Sequence, residues 1–150
     1  ALARRYPATT VHSVEPDQEA VDVAAGMAAD FRLSYEPRCG VGEALPYPDG
    51  FFDLIVCHTV IEHVGNVEQV IREISRVLKP GGSILVLDFG PVGSGVVAQG
   101  VATIFGRFEH VADNLRGRVP DYLVQAGFVE VQVTDVAFGG VIKLYAGRRR

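Results

Sequence analysis

The sequence predicts a doubly wound α/β fold built on a mostly parallel sheet. Phe52 to Phe89 reads as strand, amphipathic helix and strand, a βαβ unit whose two strands lie parallel with a right-handed crossover. Both strands are nearly continuous apolar runs, the pattern of strands covered by helices on both faces. Two further strand-like runs, Phe128 to Val136 and Val141 to Ala146, flank a Gly139-Gly140 turn and predict an antiparallel hairpin at the end.

Taken in order, Ala1 to Arg5 reads as the last turn of a helix closed by Tyr6-Pro7, so the chain begins inside an element. Thr10 to Val14 is a short strand ending at Glu15-Pro16, and Gln18 to Ala29 is an alanine-rich helix with Asp17 as its cap. A third short strand is expected between Phe31 and Val41, where Pro37 argues against a long central strand and Gly40 permits a sharp bend. An acidic turn then leads into the strand Phe52 to Cys57 and the loop His58 to Gly65. The helix Asn66 to Lys79 follows, because Val67, Val70, Ile71, Ile74, Val77 and Leu78 recur at three- and four-residue steps and make one apolar stripe. Asn66, with Gln69 three places on, caps this helix, and Pro80-Gly81-Gly82 turns the chain into the strand Ser83 to Phe89. Gly90 to Gly95 is a flexible loop, and Val96 to Phe105 is an apolar stretch of the kind that covers a substrate pocket. Pro120 to Ala126 is a helix with proline in its first turn and Gly127 as its stop.

With 150 residues, 48% apolar and 21% charged, the chain is expected to be one soluble globular domain with a sizeable core. No apolar run is long enough to span a bilayer and no signal-peptide pattern stands at the amino end, so a cytoplasmic address without membrane insertion is expected. A net charge of −4 gives no electrostatic footprint for nucleic acid, and Arg148 to Arg150 reads as a solvated tail. Cys39 and Cys57 have neither metal-ligand nor disulfide spacing and are expected as buried free thiols, with no metal site. No repeat or low-complexity block divides the chain. The oligomeric state is open.

Leu45-Pro46-Tyr47-Pro48-Asp49-Gly50-Phe51-Phe52-Asp53-Leu54-Ile55-Val56, then Glu62-His63-Val64, then Arg72-Glu73-Ile74-Ser75-Arg76-Val77-Leu78-Lys79-Pro80-Gly81-Gly82 closely resemble class I S-adenosylmethionine-dependent methyltransferases. The nearest branch is that of small-molecule enzymes of the menaquinone and ubiquinone C-methyltransferase type, and the resemblance runs from Val11 onward. It implies a Rossmann-like sheet, S-adenosylmethionine as cofactor, and methyl transfer to a small-molecule acceptor.

The candidate site residues follow from the expected carboxyl rim of the sheet. Glu15 closes the first strand, where a carboxylate accepts hydrogen bonds from both ribose hydroxyls of a nucleoside, and the family uses an acid there in that way. The competing reading is an acid before Pro16 that merely caps the next helix. Gly40-Val41-Gly42-Glu43-Ala44-Leu45-Pro46 aligns with a family segment Gly-Asp-Ala-x-x-Leu-Pro whose aspartate reaches the adenine amino group. Val41 stands in that aspartate's place, so adenine recognition falls to backbone around Val41 and Gly42, with Glu43 and with Leu45 packing under the ring. His58 and Thr59 are expected to line the methionine end of the cofactor, and in the resembling proteins Glu62 and His63 open towards the site.

Methyl transfer from a sulfonium is an in-line displacement, so the protein mainly positions the nucleophile and excludes water. A base is needed only for a hydroxyl or carbon acid, and His58, His63 and His110 are undifferentiated candidates beside Asp88 on the same rim. For each of these, a purely structural role competes. Cys57 is followed by His-Thr-Val rather than the Asn-Pro-Pro-Tyr type of run that holds a nucleobase amine, which with the acidic balance favours a small, apolar acceptor.

The family opens with a strand and a glycine-rich turn of the form acid-x-Gly-x-Gly-x-Gly, and this chain starts after them, so a domain truncated at its N-terminus is expected over residues 1–150. The strands ending at Glu15 and Cys57 would flank the absent one, at roughly 1–3 kcal/mol per unmet backbone bond. Leu87 to Gly95, with Glu109 downstream, imitates the missing turn, but the preceding Leu78-Lys79-Pro80-Gly81-Gly82 marks its strand as the later one. Two other functions compete: a non-catalytic methyltransferase-like module or inactive fragment, and an NAD-dependent oxidoreductase, which lacks its own glycine fingerprint here.

Overall fold

The computed structural model describes residues 2–58, 60, 63–91, 116–137 and 141–150. These form two compact units, residues 1–46 and 47–150. The turn at Gly139-Gly140 and the stretch from Val96 to Phe105 lie outside the described residues.

The smaller unit runs α1 (Leu2–Arg5), β1 (Val11–Glu15), α2 (Gln18–Asp30) and β2 (Tyr35–Cys39). Asp17 caps α2 as expected, its side chain accepting from the Glu19 N–H at 2.9 Å. The strands pair in parallel, Val11 opposite Tyr35 through Glu15 opposite Cys39. Pro37 sits inside β2 and is tolerated because, among the described residues, β2 has a strand neighbour on one side only.

The larger unit is built on a four-stranded sheet in the order β3 (Phe52–His58), β4 (Leu78–Phe89), β6 (Ile142–Arg149), β5 (Phe128–Ala137), with α3 (Val67–Val77) and α4 (Val119–Gln125). β3 and β4 are parallel, joined by α3 as the crossover, and β5 and β6 form the antiparallel finish. The Asn66 side chain accepts from the Gln69 N–H at 3.0 Å, capping α3. The apolar stripe of α3 is buried along its whole length, at Val67, Val70, Ile71, Ile74 and Val77. β4 alternates, with Ile84, Val86 and Asp88 buried and Leu85, Leu87 and Phe89 half-buried.

Three expectations need correction. β4 begins at Leu78, directly off α3, and Pro80-Gly81-Gly82 is a bulge inside it: Phe52 pairs with Leu78 but Leu54 with Ser83. Gly81 has φ +79, and a Cβ at Gly82 would come within 2.9 Å of the Lys79 carbonyl oxygen, so both glycines belong to the bulge. Arg148 and Arg149 are strand residues rather than tail. The Arg149 guanidinium, a rigid multiple donor, serves the carbonyls of Arg76 and Leu78 at the end of α3. Cys39 is exposed, because it ends β2 at the rim, while Cys57 is buried as expected.

Ile71 has no solvent exposure. Ile71→Ala is expected to destabilise the chain by roughly 2–5 kcal/mol in urea unfolding. Arg72→Ala, which removes only a surface pair with Glu68, should cost about 0.5 kcal/mol or less.

Candidate functional site

In the smaller unit the carboxyl ends of two parallel strands meet at one edge. Glu15, the last residue of β1, is exposed, and its carbonyl accepts from the Gly40 N–H at 3.1 Å. Pro16 follows, its carbonyl 3.5 Å from the Cys39 Sγ. Beyond Gly40, Val41 and Ala44 close a tight turn, with the Ala44 N–H donating to the Val41 carbonyl at 3.2 Å. A Cβ at Gly40 would press on Pro46 and Val14 at 3.1–3.2 Å, so glycine lets this loop fold back on β1. The unit therefore brings Glu15, Pro16, Val41, Gly42 and Glu43 to one edge. An exposed carboxylate beside a turn of backbone groups fits a nucleoside, whose ribose diol donates and whose base needs shallow packing.

In the larger unit the rim is formed by β3 and β4. His58 is the last residue of β3 and pairs with Leu87. His63 lies exposed in a short turn, its N–H donating to the Val60 carbonyl at 3.0 Å. Thr59, Glu62, Glu109, His110 and the glycines from Gly93 to Gly95 lie outside the described residues. Strand alternation separates the named bases: Asp88, one residue beyond the level of His58, faces the opposite side of the sheet. There it shares a surface with Cys57 and Tyr145, both paired with Val86.

Burial, with the Asp88 charge adding to it, pushes the Cys57 thiol up to about 12. The Tyr145 phenol is likewise pushed up to about 12, by burial first and then by Asp88 and Asp135. Neither ionises near neutral pH, so neither is a nucleophile there. Among the described residues no three His, Cys, Asp or Glu side chains gather closely enough to hold a metal ion, and no helix is long and apolar enough to cross a membrane. The depth at which Asp88 sits is what sequence reasoning missed; the period-two alternation of β4, Ile84-x-Val86-x-Asp88, carried that signal.

Parallel strands joined through a helix, with polar side chains at their carboxyl ends, define a Rossmann-like α/β protein. The chain belongs to the methyltransferase-domain family, whose profile matches residues 1–86. It is 32% identical over 126 residues to the ubiquinone/menaquinone biosynthesis C-methyltransferase of Pectobacterium atrosepticum, a match covering 70% of this chain and 49% of that protein. It is 30% identical over 150 residues to the malonyl-[acyl-carrier protein] O-methyltransferase of Halorhodospira halophila, covering 91% of this chain and 46% of the other. The chain thus spans about half the length of the curated relatives it matches. Among solved structures, phosphoethanolamine N-methyltransferase 2 of Haemonchus contortus, in complex with phosphomonomethylethanolamine and S-adenosylhomocysteine, superposes with a TM-score of 0.77 at 15% identity. That match covers 98% of this chain and 46% of the other, and it is a likeness of fold.

The two thiols are expected to separate cleanly. At mildly alkaline pH a thiol reagent should label Cys39 in minutes and Cys57 only after unfolding, read by mass spectrometry. Because the folded state holds the Cys57 proton up to about 12, its contribution to stability is complete below the ordinary thiol range and falls away as pH rises through that value. Cys57→Ala should flatten that part of the stability curve.

Proposed function

We propose that the protein transfers a methyl group from S-adenosylmethionine to a small, largely apolar acceptor, acting in the cytoplasm. What supports this is membership of the methyltransferase-domain family, together with an exposed Glu15 at the carboxyl end of β1 beside the turn at Val41 to Glu43. In this reading Glu15 accepts from the two ribose hydroxyls and Pro16 shapes the turn after it. Backbone groups of Val41 and Gly42, with Glu43, meet the adenine, since no aspartate stands at position 41. His58 and Thr59 line the methionine end, and His63 lies towards the acceptor. The cofactor supplies the activated methyl; the chain's own task is to bind, orient and keep water out. Residues 1–150 are read as one methyltransferase domain.

Calorimetric titration of the chain with S-adenosylhomocysteine is expected to show micromolar binding, and Glu15→Ala should weaken it roughly 10- to 100-fold by removing two hydrogen bonds to a charged acceptor. Binding of NAD instead, or of neither ligand, overturns the reading. Equal affinity in wild type and Glu15→Ala removes Glu15 from it.

A further inference from the structure

The edge at the carboxyl ends of β1 and β2 carries an apolar side chain among polar ones. Val41 follows the end of β2 and is 47% exposed, in company with Glu15 and Cys39, which are exposed as well. An apolar side chain standing in water gains from any flat apolar surface laid over it, and the face of a purine ring is such a surface.

The polar groups around Val41 have work elsewhere. The Gly40 N–H donates to the Glu15 carbonyl at 3.1 Å, and the Cys39 thiol to the Pro16 carbonyl at 3.5 Å. The Val41 carbonyl takes the Ala44 N–H at 3.2 Å, which closes a turn with Gly42 and Glu43 at its corner. The carboxylates of this edge are each accounted for. Asp17 accepts from the Glu19 N–H as the cap of α2, Glu43 is half-buried and already engaged, and Glu15 is the group that the proposed function gives to the ribose. An adenine laid on Val41 thus has apolar support for its ring, whereas its exocyclic amine meets no carboxylate from that position.

We propose that Val41 is a specificity-determining residue: it holds the base by its face and leaves the exocyclic amine unread. The site then takes adenosyl thioethers and sulfoniums whether that amine carries hydrogens or alkyl groups. The inference rests on the methyltransferase reading above and deepens it. An apolar contact discriminates weakly against added methyl groups, which only extend the surface it covers. A carboxylate that hydrogen-bonds an amine discriminates strongly, because a ligand without the N–H leaves it desolvated and unpaired.

The test is calorimetric titration of the full chain with S-adenosylhomocysteine and with the analogue whose adenine amine carries two methyl groups, so that both N–H donors are gone and the ring nitrogens are kept. The two ligands are expected to bind the wild type within about threefold of each other. Val41→Asp should open a gap of roughly 10- to 100-fold in favour of S-adenosylhomocysteine, and Val41→Ala should weaken both ligands alike, by about two- to fivefold, through lost apolar cover. The wild-type pair of titrations decides without any variant: a preference of about tenfold or more for S-adenosylhomocysteine overturns the proposal and leaves the methyltransferase reading intact. An affinity ratio unchanged by Val41→Asp overturns it too, since the base is then not read at Val41. Failure of S-adenosylhomocysteine to bind the wild type overturns the methyltransferase reading and this proposal with it.

Discussion

The end of α3 is the joint on which the larger unit depends. A helix leaves its last carbonyls without donors of its own, and here two segments supply them. The Gly50 N–H reaches the Arg76 carbonyl at 3.0 Å and the Phe51 N–H the Val77 carbonyl at 2.7 Å. The Arg149 guanidinium adds donors to Arg76 and Leu78. The same few peptide groups thus bind the approach to β3, the start of β4 and the last turn of chain in β6. Arg76 reinforces the joint from its side chain, donating to the Tyr47 carbonyl at 2.9 Å and to Asp49 at 2.7 Å while Glu73 clamps it from one turn back. Once these starts are held together, parallel pairing carries the far ends of β3 and β4 to a common rim, and that rim is where His58 and Asp88 stand.

Much of this was readable from residue order alone, for identifiable reasons. α3 announced itself because its apolar period, its Asn66 cap and the proline after it agree, and three independent signals at one place leave little room for another conformation. The parallel pair followed from the length of the crossover, and the hairpin of β5 and β6 from alternation on either side of a glycine pair. What residue order did not convey were contacts made across the sheet. Nothing local distinguishes Arg149 from its two arginine neighbours; only the antiparallel register beside β4 brings it over the helix end. Pro80-Gly81-Gly82 carries the composition of a turn, and it does depart from the ladder, yet the strand resumes on both sides because Leu78 and Ser83 each still find a partner in β3.

The site divides in the same manner. Glu15, Pro16 and the segment from Val41 to Glu43 converge on one edge because parallel pairing aligns the ends of β1 and β2, which the expected topology implied. Cys39 is exposed for the same cause: a residue at a strand's carboxyl end is a rim residue, and rims are open. Val41 remains the point at which local chemistry departs most from the family pattern. Where the family pattern has a carboxylate, valine leaves peptide groups and an apolar side chain that is 47% exposed. The shape of this loop depends on Gly40, whose lack of a side chain lets it pack against Val14 and Pro46.

On the other face of the larger sheet the physics runs through charge rather than shape. Cys57 and Tyr145 are both raised by burial, and both also register the charge of Asp88. Burial is the larger cause in both, and Asp88 adds to it, with Asp135 contributing at Tyr145. A thiol and a phenol that keep their protons line the space with groups that add no charge of their own. Had either carried a negative charge, a second anion would repel that of Asp88 at short range. Buried, protonated side chains beside one buried carboxylate therefore define the polarity of this face of the sheet.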